Sequence, residues 1–96
     1  MITSKQRSYL RKLANSIDPI FQVGKGGISP QMAHQIEDAL EARELIKVHV
    51  LDNSELAPKE ACRIMAQMTE AEEVQVIGRK FVLYKPSREN PRIVLP

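Results

Sequence analysis

The chain has 96 residues, 43% hydrophobic and 27% charged, with a formal net charge of +2, which is one domain of ordinary globular composition. No apolar run approaches the roughly 20 residues that a membrane-spanning helix needs, and the start Met1-Ile2-Thr3-Ser4-Lys5-Gln6-Arg7 turns polar and basic at once, unlike a secretory signal. Cys62 is the single cysteine, which excludes an internal disulfide and a multi-cysteine zinc site and makes a reducing cytoplasm the expected compartment.

Thr3-Ser4-Lys5-Gln6 has the form of a capping box. The helix it opens should run to about Asn15, with Tyr9, Leu10, Leu13, Ala14 and Ile17 on one side and Lys5, Arg7, Arg11 and Lys12 on the other. Asp18-Pro19 ends it, and Pro19 to Val23 reads as a short strand. Gly24-Lys25-Gly26-Gly27 is a tight loop, after which Ser29 as N-cap and Pro30 at the first helical position start a second helix. That helix sets Met32, Ala33, Ile36, Ala39 and Leu40 on a buried face, while Glu37, Asp38, Glu41 and Glu44 read as its solvated side. Leu45 to Leu51 is the clearest strand, with Ile46, Val48 and Val50 alternating with Lys47 and His49. Pro58 starts a third helix with a core stripe of Ala61, Ile64, Met65 and Met68. Glu73 to Ile77, the turn Gly78-Arg79-Lys80, and Phe81 to Lys85 form a hairpin.

The order helix-strand-helix-strand-helix-strand-strand predicts an α/β fold. We expect a compact two-layer α/β sandwich around a four-stranded mixed sheet, largely parallel and closed by the hairpin. Residues 1–85 form the domain and residues 86–96 an extended tail, which either trails free or docks Ile93-Val94-Leu95 on the sheet.

Charge is unevenly spread. Residues 1–30 hold five bases against Asp18 alone, residues 31–60 hold three bases against seven acids, and the remainder is again basic. A molecule polarised in this way can offer a positive face to a polyanion. Within the basic third, the glycine loop is the strongest chemical feature. Glycines allow close backbone approach, the start of the following helix favours an anion, and Lys25 adds a charge at the tip, so a nucleic-acid phosphate fits. The same four residues also read as a plain turn with an exposed lysine. Neither the P-loop nor the dinucleotide fingerprint is present.

The basic side of the first helix could engage several phosphates, or it could simply be a solvated surface. Arg79 and Lys80, followed by Lys85, Arg88 and Arg92, could extend the positive surface. Few aromatics are available for base stacking, which favours recognition of backbone and shape. His34, His49 and Cys62 are scattered and form no nucleophile or metal constellation, so no catalysis, metal or cofactor is expected.

Gln6-Arg7-x-x-Leu10-Arg11-x-x-Ala14, Pro19-Ile20-Phe21-Gln22-Val23-Gly24-Lys25-Gly26-Gly27-Ile28-Ser29, Glu44-Leu45-Ile46-Lys47-Val48 and Val76-Ile77-Gly78-Arg79-Lys80-Phe81-Val82-Leu83-Tyr84 together closely resemble the CRM domain (chloroplast RNA splicing and ribosome maturation). The match runs over about residues 3–85 and looks like the small stand-alone bacterial YhbY-like members. The resemblance implies an RNA-binding domain similar in fold to the C-terminal domain of bacterial translation initiation factor three. It implies RNA contact through a GxxG loop, here Gly24, Lys25, Gly26 and Gly27, with Lys5, Arg7, Arg11 and Lys12 on the first helix. Ser29, Arg79 and Lys80 are the remaining candidates. It also implies association with ribosomal RNA in precursors of the large subunit. KH domains clamp backbone with the same tetrapeptide between two helices; here the loop follows a strand. The expectation is a monomeric, non-enzymatic, cytoplasmic RNA-binding protein without membrane or small-molecule partners. The competing reading is a protein-interaction module on a ribosomal or GTPase partner, using the acidic second helix.

Overall fold

Phe81-Val82-Leu83-Tyr84 is apolar without alternation, and all four residues are buried; only an interior strand covered on both faces satisfies that pattern. The computed structural model describes residues 1–96. Its elements are α1 (Ser4–Ala14), β1 (Phe21–Val23), α2 (Pro30–Arg43), β2 (Leu45–Val50), α3 (Pro58–Thr69), β3 (Glu72–Ile77) and β4 (Lys80–Tyr84). The sheet order is β1-β2-β4-β3, so β4 lies inside. The short β1 and the more exposed β3 take the edges, where one side of the ladder faces solvent.

The α/β class and the four-stranded mixed sheet are as expected. The sheet is less parallel than the alternation of elements implies, because only β1 with β2 is parallel and both pairings of β4 are antiparallel. The helical cover also extends to both faces. α2 and α3 bury Ile36, Leu40, Cys62 and Met65 against Val48, Val50, Phe81 and Leu83. On the opposite face, Leu10 and Ala14 of α1 pack on Leu45, Val74, Val82 and Tyr84. Helical periodicity marks which side of α1 is apolar, but not which face of the sheet receives it.

The α3 stripe is Ala61, Cys62, Met65, Ala66 and Thr69, and Met68 is 40% exposed instead of in the core. The four-residue spacings from 61 to 69 tilt the stripe away from position 68.

The tail docks, with Ile93 and Leu95 packing beside α1. Its anchors are Glu41, which is exposed as expected, and Glu44, which is buried and so does not belong to the solvated face expected of it. The Glu44 carboxylate accepts N–H bonds from Ser87, Arg92 and Ile93 at 2.9, 2.7 and 2.8 Å. Glu41 accepts from the Arg88 and Glu89 N–H groups at 3.0 and 3.2 Å, and from the Ser87 hydroxyl. Glu44 is the one residue between α2 and β2. It has φ 67° and is 1% exposed, so a left-handed backbone turn aims its side chain inward under the tail.

Candidate nucleic-acid interface

β1 and β2 run parallel, and β4 begins opposite the end of β2, with His49 paired to Lys80. One end of the sheet therefore gathers the Gly24–Gly27 loop, the β2–α3 connection and the Gly78-Arg79 turn. Of the sequence-predicted residues, the fold brings together Gly24, Lys25, Gly26, Gly27, Ser29, Arg79 and Lys80.

The loop is a turn closed by the Gly27 N–H donating to the Gly24 carbonyl at 3.1 Å. The Lys25 and Gly26 N–H groups donate to no protein acceptor, and both residues are exposed. The glycines differ in what they need. Gly27 has φ +71°, where a side chain is strained, but Gly26 has an ordinary φ and open space where a Cβ would stand. A Cβ on Gly24 would make only ordinary contact with Leu51 and Asn53, at 3.5 and 3.7 Å. Folding therefore requires glycine at 27 and not at 26, where the bare backbone stands open to close approach from outside.

The start of α2 offers less to an anion than a free helix end would. Pro30 has no N–H, Met32 N–H is taken by Ser29 Oγ at 3.0 Å, and Ala33 N–H bonds the Ser29 carbonyl at 3.0 Å. Gln31 N–H remains, and no acid stands in the first turn to oppose the positive end of the helix. Ser29 is thus a cap first, and its hydroxyl hydrogen stays available to donate.

Arg79 is tied into the scaffold. Its guanidinium donates from Nε to Val50 O at 3.1 Å and from Nη2 to Leu51 O at 2.6 Å, and lies 3.5 Å from Asp52 Oδ1. It fixes the β2 end against which Gly24 packs. Lys25 and Lys80 are exposed and make no ion pair. Lys85, Arg88 and Arg92 follow the other end of β4, and Lys85 Nζ caps α3 by donating to Thr69 O at 2.8 Å. These three do not extend the surface at the loop.

α1 crosses the sheet over Leu45 and Tyr84, at the end remote from the loop. Lys5, Arg11 and Lys12 are exposed, with Lys5 and Lys12 on its outer side. Arg7 is half-buried and donates from Nε to Glu73 O at 3.2 Å. The helix cations and the glycine loop are thus separated by open sheet. That stretch carries Gln22, Lys47 and His49, which no local motif marks; the polar half of the β2 alternation is the only signal of them in the sequence.

No group of three or more His, Cys, Asp or Glu side chains converges. Cys62 is fully buried, and burial, reinforced by the Glu73 carboxylate, pushes its thiol up to about 12. No helix is long and apolar enough to cross a membrane.

Comparison with known proteins gives a consistent set of matches. The CRS1 / YhbY (CRM) domain model matches residues 2–85. The chain is 49% identical over 96 residues to the Probable RNA-binding protein YqeI of Bacillus subtilis, covering 100% of both chains. It is 35% identical over 95 residues to a protein of Haemophilus influenzae named RNA-binding protein, covering 99% of this chain and 95% of that one. The solution structure of the hypothetical protein SAV1595 from Staphylococcus aureus superposes with a TM-score of 0.83 at 55% identity, over 100% of each chain.

Proposed function

The chain belongs to the CRS1/YhbY (CRM) domain family, and from that premise we propose that it is an RNA-binding protein without enzymatic activity, gripping the phosphate backbone at the loop end of its sheet. The observation that carries this reading is Gly26, a glycine the fold does not require, flanked by the free N–H groups of Lys25 and Gly26 and by the unpaired Lys25 and Lys80. The names of the relatives from Bacillus subtilis and Haemophilus influenzae support RNA as the ligand. Phosphate oxygens accept from the loop N–H groups and Gln31 N–H, the two lysines neutralise charge, and Arg79 holds the β2 end rigid beneath them. Precursors of the large ribosomal subunit are the proposed cellular target, in the cytoplasm, with the protein acting as a monomer.

The competing acidic-helix reading loses two of its four carboxylates, since Glu41 and Glu44 hold the chain's own tail.

The test is RNA affinity of wild type and Gly26→Asp on a protein-free large-subunit ribosomal RNA fragment, measured across salt. Two phosphates neutralised by Lys25 and Lys80 give a slope of about −1.4 to −1.8 in log K against log[salt]. The variant should stay folded, because its Cβ enters open space, and lose about tenfold or more in affinity. A flat salt response, or unchanged affinity in the folded variant, contradicts the placement. Salt-releasable sedimentation with large-subunit precursors tests the ribosomal target; migration as free protein contradicts it.

A further inference from the structure

The sheet face opposite α2 and α3 is covered over one half only. α1 and the tail close the half that holds Leu45, Val74, Val82 and Tyr84. Strand alternation puts Gln22, Lys47, His49, Gln75, Ile77 and Lys80 on the remaining half, and the register aligns Gln22, His49, Lys80 and Ile77 in one row across all four strands. Gln22, Ile77 and Lys80 are exposed, and Lys47, His49 and Gln75 half-exposed. No Asp or Glu stands among the six. A shallow groove of about 620 Å³, lined by Pro19 to Gln22 and His49, opens along its β1 margin. The platform is bounded by the glycine loop at one end. At the other lies the flank of α1 that carries Arg7 and Arg11, turned away from Gln6, which donates to Pro96 O of the tail at 3.2 Å.

We infer that this open half-sheet is a second part of the RNA interface, and that the RNA it takes is a double-stranded, A-form segment. The inference rests on the RNA-binding reading above and goes beyond it in naming the surface and the form of the ligand. Its first support is charge complementarity: Lys47 and Lys80, flanked by Lys25, Arg7 and Arg11, with no carboxylate among the six positions. The second is what the platform lacks. Phe21 and Phe81 pack on the other face and Tyr84 lies under α1. Tyr9 falls on the tail side of that helix. A single strand held on a sheet is gripped by several aromatic rings on which its bases stack; this half-sheet offers no Phe, Tyr or Trp, and the half-exposed His49 imidazole stands alone.

What the platform does offer is two amides, an imidazole and two ammonium groups on a flat surface. Four strands at about 4.8 Å make it about 14 Å across. Those groups suit phosphates and 2′-hydroxyls, which an A-form duplex presents along its wide, shallow minor groove, where shape and not sequence is read.

The experiment compares the full chain on a 20-base-pair RNA duplex, the DNA duplex of the same sequence, and one RNA strand alone, at one salt concentration. The expected result is at least tenfold preference for the RNA duplex over both others. Lys47→Ala/His49→Ala should lose about tenfold on that duplex. Gln22→Glu, at an exposed position that leaves the fold undisturbed, should do the same and keeps the test valid should the double variant unfold. Equal or tighter binding of the single strand overturns the inference while leaving the RNA-binding reading intact, as does wild-type affinity of folded Gln22→Glu for the duplex. Failure to bind any of the RNAs overturns both.

Discussion

Gly26 and Gly27 are adjacent and obey different constraints. Gly27 has φ +71° and Gly26 does not have a positive φ, so alanine at 27 should cost about 1–2 kcal/mol, read as a fall in Tm. Alanine at 26 should leave stability unchanged or raise it slightly, by less than about 1 kcal/mol, since the unfolded chain loses freedom. Equal losses at both positions would contradict the assignment of one glycine to folding and the other to binding. Cys62 has a thiol raised to about 12, by burial first and then by Glu73. At pH 8 the native protein should resist a thiol reagent that labels the urea-unfolded chain within minutes; rapid labelling of native protein would contradict its burial. At this scale local chemistry was legible. The capping box of Thr3 and Gln6 forms as read, with N–H bonds of 3.1 and 2.9 Å, and so does the Ser29 cap. The anchoring of Arg79 was not legible, because its carbonyl partners lie 28 and 29 residues away with no pattern linking them.

Between elements, the decisive contacts are carboxylates closing the tail onto the domain. Burial raises the Glu44 carboxyl, but the N–H groups of Ser87, Ile93 and Arg92 and the Arg92 charge outweigh it, so its pKa lies below 4.5. Glu41 is lowered likewise, by Arg88 N–H first, then the Ser87 hydroxyl and Glu89 N–H. A carboxyl depressed in the folded state stabilises it above the unfolded value and loses that contribution as pH falls through the folded one. Tail amides should therefore stay protected from hydrogen exchange down to about pH 4.5 and lose protection only below it. Loosening between pH 5 and 7 would contradict the clasp. Glu44→Gln should cost roughly 1–3 kcal/mol, since it removes the charge from three hydrogen bonds, and an unchanged Tm would contradict that role. A clue was present in the sequence: α2 runs into β2 through Glu44 alone, where a glycine is the usual helix stop. Its meaning depends on a tail more than 40 residues away.

For the whole molecule, the radius of gyration is 12.5 Å, and a chain of this length folded throughout gives about 12.5 Å, so the tail belongs to the folded body. Strand and helix positions were readable because periodicities of 2 and 3.6 are local. The insertion of β4 between β2 and β3, the antiparallel majority, and the placing of α1 on the second face were not, since they follow from which surfaces remain to be covered. The glycine loop and the hairpin tip were each visible as motifs; their meeting at one sheet end is a product of topology. The proposed phosphate grip rests on that meeting. Its most direct test is a titration of isotope-labelled protein with a large-subunit ribosomal RNA fragment, following backbone amide shifts. The predicted result is that Lys25, Gly26, Gln31 and Lys80 move first and furthest, and return when salt is raised. Shifts confined to the acidic side of α2, with the loop amides unmoved, would contradict the account.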